Sequence, residues 1–135
     1  MEYTIEFGGA PQDVTITTSG PASAEGLLDF IRELVASPRF RPGMSILVDH
    51  MALDASTVTA TDVRAQAALV LSLDEQIGPS NVAIACSSPL AFGYSRMYEA
   101  HAAPAQVRSC VFYSRSEALV WLLEQAIANA RRQSA

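Results

Sequence analysis

The chain has 135 residues, half of them hydrophobic, enough to bury the core of one ordinary domain without a disulfide or a structural metal. Nine basic residues against fourteen acidic ones leave a formal charge of -5, and all nine are Arg, because Lys is absent. A nucleic-acid binder built on a basic stripe is excluded, since the only adjacent basic pair is Arg131-Arg132, and without Lys so are a P-loop and a Schiff-base enzyme.

Met1 to Glu6 has neither a basic start nor an apolar h-region, and the most apolar stretch, Ala65 to Leu73, is far short of the roughly 20 residues that span a bilayer. A cytoplasmic protein without a membrane span is expected. Tyr3, Ile5 and Phe7 alternate with Glu2, Thr4 and Glu6, the pattern of a strand with one wet face. Past the Gly8-Gly9-Ala10-Pro11 turn, Val14 and Ile16 alternate with Asp13, Thr15 and Thr17, so the two segments form an antiparallel pair. Leu27, Leu28, Phe30, Ile31, Leu34 and Val35 then recur at helical spacing, from a start near Ser23 to a stop at Pro38 to Gly43. Ile46-Leu47-Val48 is apolar without alternation, as in a strand covered on both faces.

Thr59 and Asp62 have capping-box spacing and open a helix carrying Val63, Ala67, Val70, Leu71 and Ile77. Leu69 and Leu73 widen its apolar stripe and are the candidate interface residues. Val82 to Cys86 is a further strand, and Ser88 followed by Pro89 starts a helix with Leu90, Tyr94, Met97 and Tyr98 on one face. Val107 to Phe112 is the last strand, and Ser114 with Glu117 caps a final helix through Ala118, Leu119, Leu122 and Ile127 to Arg131-Arg132. The order β-β-α-β-α-β-α-β-α predicts an α/β fold with a mixed, mostly parallel sheet of about five strands, filling residues 1–135 as one domain.

Three segments together resemble bacterial SpoIIAA-like proteins of the STAS/SEC14-type group: Pro38 to Met44 leading into Leu47-Val48-Asp49, Ala91 to Glu99, and Val111-Phe112 with Glu117 to Leu122. STAS abbreviates sulfate transporter and anti-sigma-factor antagonist. The resemblance implies a non-enzymatic regulatory or protein-interaction module, with a homodimer as one form and an anti-sigma-like kinase as one partner. In some relatives nucleotides or lipids are bound. The best-understood relatives are switched by phosphorylation at the start of the helix after the central strand, in a pattern like Asp-Ser-Ser/Thr-Gly-Leu. Asp54-Ala55-Ser56-Thr57 matches loosely, with an intervening Ala and no Gly-Leu, and makes Ser56 and Thr57 the phosphorylation candidates.

A pocket at the carboxyl ends of the parallel strands is the alternative, for a small molecule or lipid, with Asp49, His50, Ser88, Gly93 and Tyr94 as candidate contacts. Gly93 is singled out because Gly inside a helix costs about 0.5–1 kcal/mol relative to Ala, which close approach of a backbone or ligand would explain. A hydrolase built on Asp49, His50 and Ser88 is disfavoured. There is no Gly-x-Ser-x-Gly elbow, and neighbours in a strand point to opposite faces, so Asp49 does not orient His50. No catalytic residue, cofactor or metal site is expected: His50 and His101 stand apart, and Cys86 and Cys110 suit small core positions.

Overall fold

In the computed structural model, which describes residues 1–134, the first alternating segments pair as expected: β1 (Glu2–Phe7) runs antiparallel to β2 (Val14–Pro21). The chain continues through α1 (Ala24–Ala36), β3 (Ile46–Asp54), α2 (Ala60–Ser72), the single-turn α3 (Asp74–Ile77), β4 (Asn81–Cys86), α4 (Pro89–Ala102), β5 (Arg108–Phe112) and α5 (Arg115–Ser134). The five strands lie in sequence order β1-β2-β3-β4-β5, and every pair after the first is parallel.

The register sorts the side chains by face. Val14, Ile46 and Val82 lie side by side, as do Ile16, Val48 and Ile84, and all join the buried side chains of α1, α2 and α4 in one core. Their neighbours Leu47, Ala83 and Ala85 point the other way, onto Ala118 and Leu122 of α5. Small side chains on β4 allow α5 to approach the sheet closely, while its partners on the opposite face are branched and fill the space under three helices. Four helix starts use the caps the sequence offers. Ser23 accepts from the Gly26 N–H at 3.0 Å, Ser88 from Ala91 at 3.2 Å and Ser114 from Glu117 at 3.1 Å. Thr59 and Asp62 form a reciprocal capping box at 3.0 and 3.2 Å.

Several expectations change. β3 runs through Asp49 and His50 to Asp54, so these two residues sit mid-strand rather than at a strand end. The helix expected to continue to Ile77 breaks at Leu73, and α3 closes on Gly78. There φ is +67°, which strains any L side chain, and an added Cβ would lie 2.8 Å from the Pro42 Cβ. Leu69 and Leu73 are partly buried against the core, because α2 lies between α1 and α4 and packs sideways on both; Leu71 is the exposed one. Leu90 and Ile127 are exposed rather than core-facing. Among the described residues no helix is long and apolar enough to cross a membrane.

Candidate functional site

Between the sheet and α1, α2 and α4 lies a cavity of about 100 Å³. Its walls are aliphatic and aromatic, among them Ile16, Phe30, Val48, Val63, Val70 and Ile84, and the polar side chains reaching it are His50, Gln66, Tyr94, Ser95 and Tyr98. No Asp, Glu or Arg lines it. The Gln66 side-chain N–H donates to the Leu27 carbonyl at 2.9 Å. Burial pushes the Tyr98 phenol up to about 12, so it is neutral at any physiological pH.

His50 is the distinctive group. It is only 8% exposed, its ring meets Phe30 edge-on at 6.1 Å, and its Nδ1 lies 2.6 Å from the Thr18 hydroxyl. The same hydroxyl lies 3.3 Å from the Asp49 carbonyl oxygen. Both contacts are satisfied together when Nδ1–H donates to Thr18 Oγ1 and the hydroxyl donates onward to that carbonyl. Nε2 then carries a lone pair, and among the described residues it has no hydrogen-bond partner. Burial pushes the imidazole from 6.5 down to about 4, against a weaker upward pull from Asp49, so the ring is neutral at pH 7.

Asp49 belongs to the opposite face. Its Oδ2 accepts from Arg115 Nη1 at 2.7 Å and its Oδ1 from the Met51 N–H at 2.9 Å, which ties the start of α5 to the middle of β3. Removing the guanidinium leaves a buried carboxylate with one backbone donor. Arg115→Ala is expected to lower the unfolding free energy by about 1–2 kcal/mol, the half-exposed Arg keeping it at the low end. Urea denaturation at pH 7 checks this, and a loss below about 0.5 kcal/mol would mean that water replaces the Arg.

Of the pocket candidates, the structure therefore brings His50 and Tyr94 together and directs Asp49 away. Ser88 is the α4 cap, and Gly93 is exposed with nothing within 4 Å of an added Cβ, so no packing in this chain explains it. Ser56 is exposed in the turn before α2, where its N–H donates to Asp54 Oδ1 at 2.9 Å; that bond holds the Asp54 carboxyl below its ordinary range. The Thr57 hydroxyl donates to the Ala22 carbonyl at 2.9 Å. Carboxylates of Asp54 and Asp62 thus already occupy N–H groups that a phosphate would seek at this turn and helix start. Ser95, which lies 3.3 Å from the Cys86 thiol, was not among the expected residues, although its place one residue after Tyr94 on an amphipathic helix was the available signal. Burial raises the Cys86 thiol, the Ser95 contact opposing it. Among the described residues no cluster of three or more His, Cys, Asp and Glu is placed to hold a metal ion.

A sequential five-stranded sheet with an antiparallel first pair, three crossover helices on one face and a terminal helix on the other defines a SpoIIAA-like fold. The chain is similar to a solved structure of this fold, that of an uncharacterized protein of the DUF3478 family from Shewanella loihica PV-4. The two share 20% sequence identity and superpose with a TM-score of 0.55 over 90% of this chain and 92% of that one, a likeness of fold. No family model and no curated protein matches the chain.

Proposed function

We propose that this STAS-like module is a non-enzymatic binder whose ligand is a small, uncharged, mainly apolar molecule bearing one hydrogen-bond donor. The observation that carries the reading is the uncommitted Nε2 of His50 in the apolar cavity. A ligand hydroxyl or N–H entering the cavity can donate to this lone pair, which no group of the described residues engages. With no ionised side chain in the walls, a charged ligand would lose its hydration without compensation. A dry apolar cavity of about 150 Å³ holds benzene, so this one admits a ligand of similar size with a small shift of its walls. The non-enzymatic part is supported by the orientation of β3: Asp49 is held by Arg115 on one face while His50 faces the other, so no carboxylate orients the imidazole for proton transfer.

Phenol, benzene and benzoate test this as probes in thermal melts and calorimetric titrations. Phenol is expected to raise the melting temperature saturably, benzene less, and benzoate not at all. His50→Phe, which keeps a ring of similar volume, is expected to remove the preference for phenol over benzene, and Val70→Leu, which adds volume at the cavity wall, to weaken both. No saturable shift with any probe, or a phenol affinity indifferent to both substitutions, overturns the reading.

A further inference from the structure

The terminal helix is longer than the sheet it covers. Its 20 residues extend about 30 Å, whereas the six residues of β4 extend about 20 Å. Only Ala118 and Leu122 of α5 are fully buried, both near its start. On the side turned away from them lies a stripe at helical spacing, Val120 at 55% exposure, Leu123 at 49% and Ile127 at 44%. Beside it an open groove of about 380 Å³ separates α5 from the edge strand β5, floored by Phe112 and Trp121 and rimmed by Glu117 and Glu124. Charge is segregated along the helix apart from Arg115, which is paired with Asp49: Glu117 and Glu124 stand in the first half and Arg131, beside the stripe, in the last turn.

We infer that this surface binds a second copy of itself, with the two α5 helices packed antiparallel about a twofold axis near Leu123. A twofold interface must be self-complementary, and this stripe is. With the axis there, Val120 of each copy meets Ile127 of the other, which fills the end of the groove, and the two Leu123 side chains meet near the centre. Glu117 of each copy then faces Arg131 of the other, one ion pair at each end of the apolar contact. Glu124 lies close to its own counterpart, a like-charge contact of modest cost on an exposed rim. The surface involves neither Leu69 nor Leu73, which the core already uses, and it is independent of the cavity, so either reading can fail without the other.

Sedimentation equilibrium from about 10 μM to about 1 mM protein tests the pairing. A monomer–dimer equilibrium is expected, with the dimer weakened about tenfold or more by Leu123→Glu, a half-exposed position whose substitution leaves the melting of the monomer unchanged. Glu117→Arg weakens the dimer, and adding Arg131→Glu to it restores affinity. Glu124→Gln, which removes the like-charge contact, tightens it. A monomer at every concentration overturns the inference, as does a dimer insensitive to Leu123→Glu or a charge swap that fails to rescue. A monomer that instead binds vesicles of three parts phosphatidylcholine to one part phosphatidylglycerol through this stripe overturns it in favour of a membrane surface.

Discussion

Leu122→Ala is expected to lower the unfolding free energy by about 2–5 kcal/mol, a large fraction of what a domain of this size has. Leu122 is fully buried with Leu47, Ala83, Ala85 and Ala118, three of these four being Ala, while Phe112, Leu119 and Trp121 pack at the margin of the cluster. Alanines have little side chain to move into a void, so the space left by Leu122 stays largely open and the cavity cost is not relieved. The loss also falls on one element. With Ala118 as its only other fully buried residue, α5 would then be held by the partly buried Leu119 and Trp121, the latter against Phe112, by the Asp49–Arg115 pair and by the Arg108 bond to Gln125 at 3.1 Å. Hydrogen exchange in α5 should therefore accelerate more than exchange in β3 and β4, which stay covered on their other face by α1, α2 and α4. Overpacking the same contact with Ala85→Leu should lift α5 from the sheet and give a similar exchange pattern by the opposite change in volume. Urea unfolding read by circular dichroism checks the magnitude. A loss below about 1 kcal/mol for Leu122→Ala would show that α5 contributes little to the folded core.

Local patterns in the sequence were sufficient wherever the structure depends on neighbours along the chain. The alternation in β1 and β2 predicts their antiparallel pairing, and Ser23, Thr59, Ser88 and Ser114 mark four helix starts because a cap acts within three residues. What was not legible depends on contacts across the fold. Asp49 and His50 resemble the polar end of a strand, because a carboxylate inside a strand covered on both faces is costly. The group that makes it tolerable, Arg115, lies 66 residues further on and leaves no periodic trace. Leu69 and Leu73 look surplus on a helix assumed to meet only the sheet, but α2 has α1 on one flank and α4 on the other and uses the wider stripe. Ile127 errs in the opposite direction. An apolar residue read as core, it stands five positions after Leu122, more than a third of a turn away from the buried face, and is exposed. The candidate site was partly legible for the same reason: residue type drew attention to His50 and Tyr94, while the face each occupies followed from the length of β3 and the order of the strands.

Acidification from pH 7.5 to pH 5 is expected to cost the protein about 2 kcal/mol of stability through His50 alone, rising to about 3 kcal/mol near pH 4. Burial holds the folded imidazole at about 4, against 6.5 when it is free in water. Between those values the unfolded chain binds a proton that the folded chain refuses, so stability rises with pH across the window. The contribution is complete above pH 6.5 and is lost as pH falls toward 4. The structural cause is specific: the ring sits between Thr18 and Phe30 with no carboxylate bonded to it, and Asp49, its neighbour in sequence, points to the other face and opposes the shift only weakly. His50→Phe removes the titrating group, keeps the ring and sacrifices the Thr18 contact. It should therefore be less stable or equal at pH 7.5 but show a much flatter dependence between pH 7.5 and 5, and the two unfolding curves should converge or cross in acid. Urea titrations of both proteins at half-unit pH steps measure this. A slope in that window that survives His50→Phe would assign the acid sensitivity to other groups and remove the neutral, buried imidazole on which recognition of a donor-bearing ligand depends. If the slope does vanish, a phenol-type ligand accepted by Nε2 should bind progressively more weakly as pH falls toward 4, because protonation converts the acceptor it uses into a donor.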